Sequence, residues 1–329
     1  MLSFFRTNQL FVGVLILGYA FLLHLVCLWE PATAIADAPG IANHWLQQLF
    51  NERLPWHLPT TIGLLFIQAL LINGIIFKHR MLSPVNLFPG VFLVLVSSAI
   101  PEFLSLSAYH FANVFLLLAV RSYLNAFRVQ NAAGLIFNAG FWMGLAVFFV
   151  PSYVFFLLGF SIMLPILKSG KFRDQLILIL GTAFPLYMLG VYYFWTDQFR
   201  AFWTQQWSGV ISLPEFMNWD AVPYFRLLFL SALLMLVIFS RGLYRQKSKM
   251  DVQIKYNILY WLLLASGISA LFTMPWNLQH ALAAAPFIGV FLSINFTKTR
   301  SSTAEAWHLL LLVLVFLLQF GSRFGIPFI

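Results

Sequence analysis

The feature that most constrains this chain is the length of its uncharged stretches. Residues 129–167 and 256–297 hold no Asp, Glu, Lys or Arg across 39 and 42 positions. Seven more stretches, 7–29, 54–77, 81–101, 103–120, 175–196, 227–240 and 306–322, are equally free of charge. A helix crosses the hydrocarbon core of a bilayer in about 20 mostly apolar residues. The two longest stretches are each twice that, and each has a turn signal near its middle: Pro151 in one, and Pro275-Trp276-Asn277 in the other. Each is therefore read as two spans joined by a turn. The 227–240 stretch reaches span length if it begins near Ala221 and takes in Arg226. The expected fold is an all-α polytopic transmembrane helical bundle of about eleven spans, forming one integral membrane domain over 1–329.

Composition closes off the alternatives. Apolar residues make up 61% of the chain and charged residues 9%, against about 25% charged in an ordinary soluble domain. A water-soluble fold of this size would expose large apolar patches. This excludes a cytoplasmic enzyme, a secreted disulfide scaffold and a nucleic-acid binder. The net charge of +9 is explained by which loops carry the cations. The one cysteine, Cys27, permits no intrachain disulfide and lies in an apolar run as a small thiol.

Basic residues orient membrane proteins by their excess on cytoplasmic loops. With a cytoplasmic N-terminus and alternating spans, 15 of the 19 basic residues fall inside. Among these are Arg6, Lys78, Arg121, Arg128, Lys255 and Arg300. Arg53, Arg200, Arg226 and Arg323 fall outside, and the C-terminus is periplasmic. The basic loop 241–256 is cytoplasmic, with a default role in topology and contact with anionic lipid. The run before Ala32-Thr33-Ala34 exceeds the 7–15 residues usual for a signal peptide, so an uncleaved first helix is expected. The expected location is the bacterial inner membrane, with membrane lipid as the first partner.

Acids sort the other way. Glu30, Asp37, Glu52, Glu102, Asp197, Glu215 and Asp220 fall at or beyond the outer boundary, seven of the ten. His44, His57 and His280 join them, with His24 and His110 in the outer halves of their spans. Two outer loops are long. The first, 30–57, contains a stretch at about 41–52 with Ile41, Trp45, Leu46, Leu49 and Phe50 on one helical face and Asn43, His44, Gln47, Gln48 and Asn51 on the other, the pattern of an interfacial helix. The second, 197–220, carries Trp203 and Trp207, and tryptophan at an interface is most simply an anchor. Glu102 and Arg226 lie near span ends, where snorkelling competes with lining a cavity. Gly134, Gly140, Gly144 and Ala146 suggest a tight helix–helix seam. There is no phosphate-cradling Gly-rich loop, metal-ligand spacing or nucleophile elbow.

The segment Asn138-Ala139-Gly140-Phe141-Trp142-Met143-Gly144-Leu145-Ala146, followed by Val150-Pro151-Ser152 and an apolar run to Leu167, resembles the middle helices of the polytopic GT-C glycosyltransferases. So does a first-loop acid, Glu30 or Asp37, followed by the membrane-parallel helix. The resemblance covers about 20 residues and a loop layout. The chain departs from that superfamily in lacking a paired Asp-Asp or Asp-Glu in the first loop and a soluble C-terminal domain. Most of the chain also resembles a family of multi-spanning proteins from Gram-negative bacteria, some labelled as carotene monooxygenases, and that resemblance implies no established activity.

The first resemblance implies transfer of a sugar from a polyprenyl-phosphate donor at the periplasmic face. It implies a carboxylate base or a carboxylate ligand to a divalent cation, and an Arg to hold the lipid phosphate. Glu30, Asp37 and Glu102 are the catalytic candidates, with His110 and His280 assisting proton transfer. Asp37 and Glu102 are the metal candidates. Arg226, Arg200, Arg53 and Trp207 are the substrate-binding candidates. A competing reading is a non-catalytic subunit or scaffold with membrane-protein partners. A third is a metal oxygenase using His24, His110 and His280.

Overall fold

The computed structural model describes residues 2–6, 10–29, 38–50, 54–167, 172–207, 209–210, 224–240, 249–273 and 277–321. Among them the fold is all-α. The α-helices are α1 (Leu10–Leu23), α2 (Ile41–Phe50), α3 (His57–Lys78), α4 (Phe88–Ser97), α5 (Ala108–Asn125), α6 (Ala133–Phe149) and α7 (Phe156–Leu167). They continue with α8 (Phe172–Trp195), α9 (Phe199–Trp207), α10 (Tyr224–Phe239), α11 (Met250–Leu271), α12 (Ala285–Lys298) and α13 (Ser301–Phe320). The one extended pairing among the described residues is an isolated bridge between Val210 and Thr273. Among the described residues five helical segments are long and apolar enough to cross a membrane: α3, α8, α11, α13 and Leu278–Lys298, which ends in α12. Several of the remaining apolar helices are shorter, at 10–17 residues.

Local chemistry sets where these helices stop. A residue before proline is pushed out of the helical region. Ile100 (φ −132°, ψ 154°) precedes Pro101, and Val150 (φ −135°, ψ 101°) precedes Pro151. A short 3-10 segment follows each, Pro101–Phe103 and Pro151–Phe155. A third, Leu278–Ala284, begins after extended Asn277, whose side chain accepts from the Gln279 amide. Both long uncharged stretches are therefore broken: α6 ends at Phe149 and α11 at Leu271.

The bundle is layered by exposure. Every residue of α4 is buried, and α12 lies against it. A helix apolar all round belongs in a core. At the periphery, Leu180, Tyr187, Phe194 and Trp195 of α8 are 62–86% exposed. Meanwhile polar His24, Gln68, His110, Asn113, Gln279 and His280 are at most 2% exposed. Apolar groups outside and polar groups inside suit a hydrocarbon solvent, where a polar group facing lipid is costly. The first helix is part of this body: Ile16, Tyr19, Ala20 and Leu23 are buried, and the Tyr19 hydroxyl lies 3.1 Å from His308 Nε2 on α13.

Close backbone approach holds α6 to α8. A Cβ at Gly140 would stand 2.3 Å from the Leu178 carbonyl, and one at Gly144 would stand 2.3 Å from that of Thr182. Gly181 returns the contact, 2.5 Å from the Phe137 carbonyl. Gly134, expected in the same seam, faces open space instead. It lies in the first turn of α6, before the helices converge.

Helix α2 differs from the amphipathic reading in one respect. Ile41 and Leu46 are buried as expected, but so is Asn43, while Trp45 and Leu49 are 40% and 52% exposed. The helix rests on the end of α6 and on α9, with the Ile41 amide donating to Gln206 Oε1 (3.3 Å) and Trp45 stacked on Tyr193. This tertiary contact rotates the buried face by about a residue.

Contacts sort the loops into two ends. At one, the Leu87 amide donates to the Phe5 carbonyl (3.0 Å), Asn86 to Thr297 Oγ1 (2.9 Å), and the Ser3 amide to Glu305 Oε1 (2.7 Å). The same end holds the Arg128–Asp251 pair at 2.9 Å and the Tyr256 hydroxyl on the Met81 carbonyl. At the other end lie the 3-10 segments Pro101–Phe103, Pro151–Phe155 and Leu278–Ala284.

Candidate functional site

Because α4 ends at Ser97 and Pro101 opens a 3-10 turn, Glu102 is presented from that turn rather than from a helix face. Arg226 reaches it from the first turn of α10, with Nη1 2.5 Å from Glu102 Oε1. Their side chains are 16% and 22% exposed, so water screens the pair only in part. Gln279 completes the group. Its Nε2 donates to the Glu102 carbonyl (3.0 Å) and to Ser105 Oγ (3.3 Å), while its amide donates to Asn277 Oδ1 (3.2 Å). Three buried atoms here, Glu102 Oε2, Arg226 Nε and Gln279 Oε1, have no hydrogen-bond partner among the described residues.

Behind this group runs a buried polar chain. Tyr109 Oη and His280 Nδ1 are 2.5 Å apart. Tyr153 donates to Asn113 Oδ1 (2.6 Å), and Asn113 Nδ2 donates to the Leu282 carbonyl (3.0 Å). Ser269 donates to Ser152 Oγ (2.9 Å). These bonds join all three broken hairpins, and fully paired polar groups in a low dielectric fix one arrangement of them.

A cavity of about 560 Å³ opens beside the site between α10, α11 and the Leu278–Lys298 segment. Its walls are apolar, with Leu230, Leu234, Trp261 and Leu264 on the α10 and α11 faces. Phe103 and Leu227, the neighbours in sequence of Glu102 and Arg226, line it together with Asn277 and His280. The ion pair thus sits next to an apolar slot through the residues that adjoin each partner in sequence. Leu264 and Leu271 are 57% and 58% exposed, so the slot opens on the side of the bundle.

The candidates from sequence separate into three groups. His280 lines this slot, while Glu102 and Arg226 pair with each other beside it, outside its lining. His110 sits apart: its Nδ1 is 3.1 Å from Ser107 Oγ, and its carbonyl accepts from Gln68 (2.8 Å) on α3. Arg200 is exposed on α9, and Trp207, at the far end of that helix, packs on Trp203 at 5.9 Å. Neither touches Glu102. Glu30, Asp37 and Arg53 lie outside the described residues, as does the Ala32-Thr33-Ala34 segment. Among the described residues no group of three His, Cys, Asp or Glu could hold a metal ion, so His24, His110 and His280 do not form a ligand set. Among the described residues Glu102 is the one carboxylate at the site, and the other metal candidate, Asp37, lies outside them.

Sequence reasoning missed Tyr153, Asn113, Ser152 and Ser269. Their signal was faint: single hydroxyl or amide groups inside apolar runs. Comparison with protein-family profiles, with curated proteins and with solved structures finds no match for this chain.

Proposed function

We propose that the chain is an eleven-span inner-membrane protein with a cytoplasmic N-terminus and a periplasmic C-terminus, and that it transfers a sugar from a polyprenyl-phosphate donor at its Glu102 end. The observation that carries this reading is the Glu102–Arg226 pair beside a laterally open apolar slot lined by the adjoining Phe103 and Leu227. A lipid tail lies in the slot. Its phosphate takes the Arg226 guanidinium, which makes planar two-pronged bonds to phosphate as readily as to carboxylate. That exchange frees the Glu102 carboxylate to accept the proton of the attacking hydroxyl as general base. His280, held by Tyr109, orients the acceptor. Sugar transfer then forms the new glycosidic bond and breaks the bond to the lipid phosphate, which leaves as the polyprenyl phosphate.

The test compares glycan products, by mass spectrometry, from cells lacking the chain and supplied with the wild type, Glu102→Gln or Arg226→Gln. The wild type restores a sugar-bearing product, and both variants fall by at least about a hundredfold while staying in the membrane. Undiminished product from both variants would contradict the enzymatic reading and leave the chain as a non-catalytic subunit of a larger membrane assembly.

A further inference from the structure

The opposite end of the bundle carries a second, unrelated concavity. Lys78, His79, Asn125, Phe127 and Lys255 line a cup of about 430 Å³ where α3, α5, α6 and α11 end or begin. A groove of about 380 Å³ shares Lys78 and His79 with that cup and continues along α3 past Gly74, Leu70 and Ile67, with Arg121 of α5 at its head. From Ile67 to Lys78 the helix rises about 16 Å, close to half the ~30 Å hydrocarbon core. The groove therefore has the length of one leaflet, with its cations at the leaflet's edge.

Charge in the cup is unbalanced. Among the described residues, α3, α5, α6 and α11 carry one carboxylate, Asp251, and Arg128 occupies it at 2.9 Å. Lys78, Arg121 and Lys255 remain. Lys255 is buried at 8% exposure; its ammonium faces the His79 carbonyl at 3.5 Å and the Phe127 ring at 5.1 Å from the centroid, and it feels the Asp251 carboxylate that Arg128 already occupies. An ammonium has three protons to donate and is costly to bury unpaired. Burial first, then Lys255 and Lys78 beside it, hold the His79 imidazole down at about 4, while the nearby Asn125 side chain works the other way. This end of the bundle is built to be completed by an anion.

We propose that Lys78, His79, Arg121 and Lys255 bind the phosphate of an anionic phospholipid whose acyl chain lies along the Ile67–Gly74 groove. Basic pockets between membrane helices take such headgroups in general. The groove selects a lipid over a free ion, because an ion gains nothing from apolar walls. Nothing in the site depends on the chemistry at Glu102.

Native mass spectrometry of the full chain, from micelles containing equal phosphatidylglycerol and phosphatidylcholine, tests this. Wild type retains phosphatidylglycerol about tenfold over phosphatidylcholine. Lys78→Gln and Arg121→Gln, both at exposed positions, each lower that preference about fivefold, and Arg300→Gln leaves it unchanged. Gly74→Leu, where a Cβ meets nothing within 4 Å, keeps the fold but blocks the groove and removes the retained lipid. Equal retention of the two lipids would overturn the proposal. So would an Arg300→Gln loss as large as that of Lys78→Gln, which would mean surface potential alone. Sodium phosphate displacing phosphatidylglycerol, with Gly74→Leu silent, would assign the cup to the free ion instead.

Discussion

Leucine in place of Gly144 drives α6 away from α8. The new Cβ would sit 2.3 Å from the Thr182 carbonyl and 2.9 Å from Pro185 Cδ, and at Gly140 the obstructing atoms are all backbone, Leu178 O, Thr182 N and Gly181 Cα. Backbone cannot rotate aside as a side chain can. In a bilayer the helices have no hydrophobic drive to associate, so what is lost is the close packing that holds them together. Overpacking of a tight contact costs about 1–3 kcal/mol and sometimes more, and this site belongs at the upper end. Gly144→Leu and Gly140→Leu should each lower the unfolding free energy by about 3 kcal/mol, read as the midpoint in a detergent-denaturant titration. Gly134→Leu, in the same helix but facing open space, should stay within about 0.5 kcal/mol of wild type. Equal losses at Gly134 and Gly144 would contradict the seam.

Neutralising one member of the Glu102–Arg226 pair is the second large effect. Removing one partner of a buried pair costs about 3–5 kcal/mol because the other charge is left without compensation. The two side chains retain 16% and 22% exposure, so residual solvent reduces that to about 2 kcal/mol for Glu102→Gln or for Arg226→Gln. The double variant Glu102→Gln/Arg226→Gln leaves no stranded ion. Its loss should be smaller than the sum of the two single losses by at least about 1 kcal/mol. Strict additivity would mean that each side chain interacts with lipid or water rather than with the other.

Punctuation in this sequence was readable because its causes are local. Pro101 and Pro151 force the preceding residue out of the helix wherever the chain goes next. The membrane character followed from uncharged length alone. Glu102 and Arg226 were readable as individuals, since an ion near a span end is conspicuous. Their pairing was not, because it joins residues 124 positions apart. Tyr109 with His280 and Tyr153 with Asn113 were invisible for the same reason, at separations of 171 and 40. Helix α2 shows a subtler failure. Its amphipathic pattern was real, but Trp45 finds Tyr193 and Phe148 as neighbours, and a partner from α8 is not encoded in the period of α2. Arg200 and Trp207 looked alike to Arg226 on the criterion of an outer loop, and only the placement of α9 separates them.

Two ends of opposite character underlie both proposed sites, and the side of the membrane on which each lies can be measured directly. Cys27, the one cysteine, is first replaced by Ser, and single cysteines are then placed at exposed Arg200 and exposed Arg128. A membrane-impermeant maleimide is applied to right-side-out vesicles before and after permeabilisation. The account predicts labelling at 200 in intact vesicles, and at 128 only once the membrane is opened. Labelling at 128 in intact vesicles, with 200 protected, would reverse the orientation and put the Glu102 site on the cytoplasmic side.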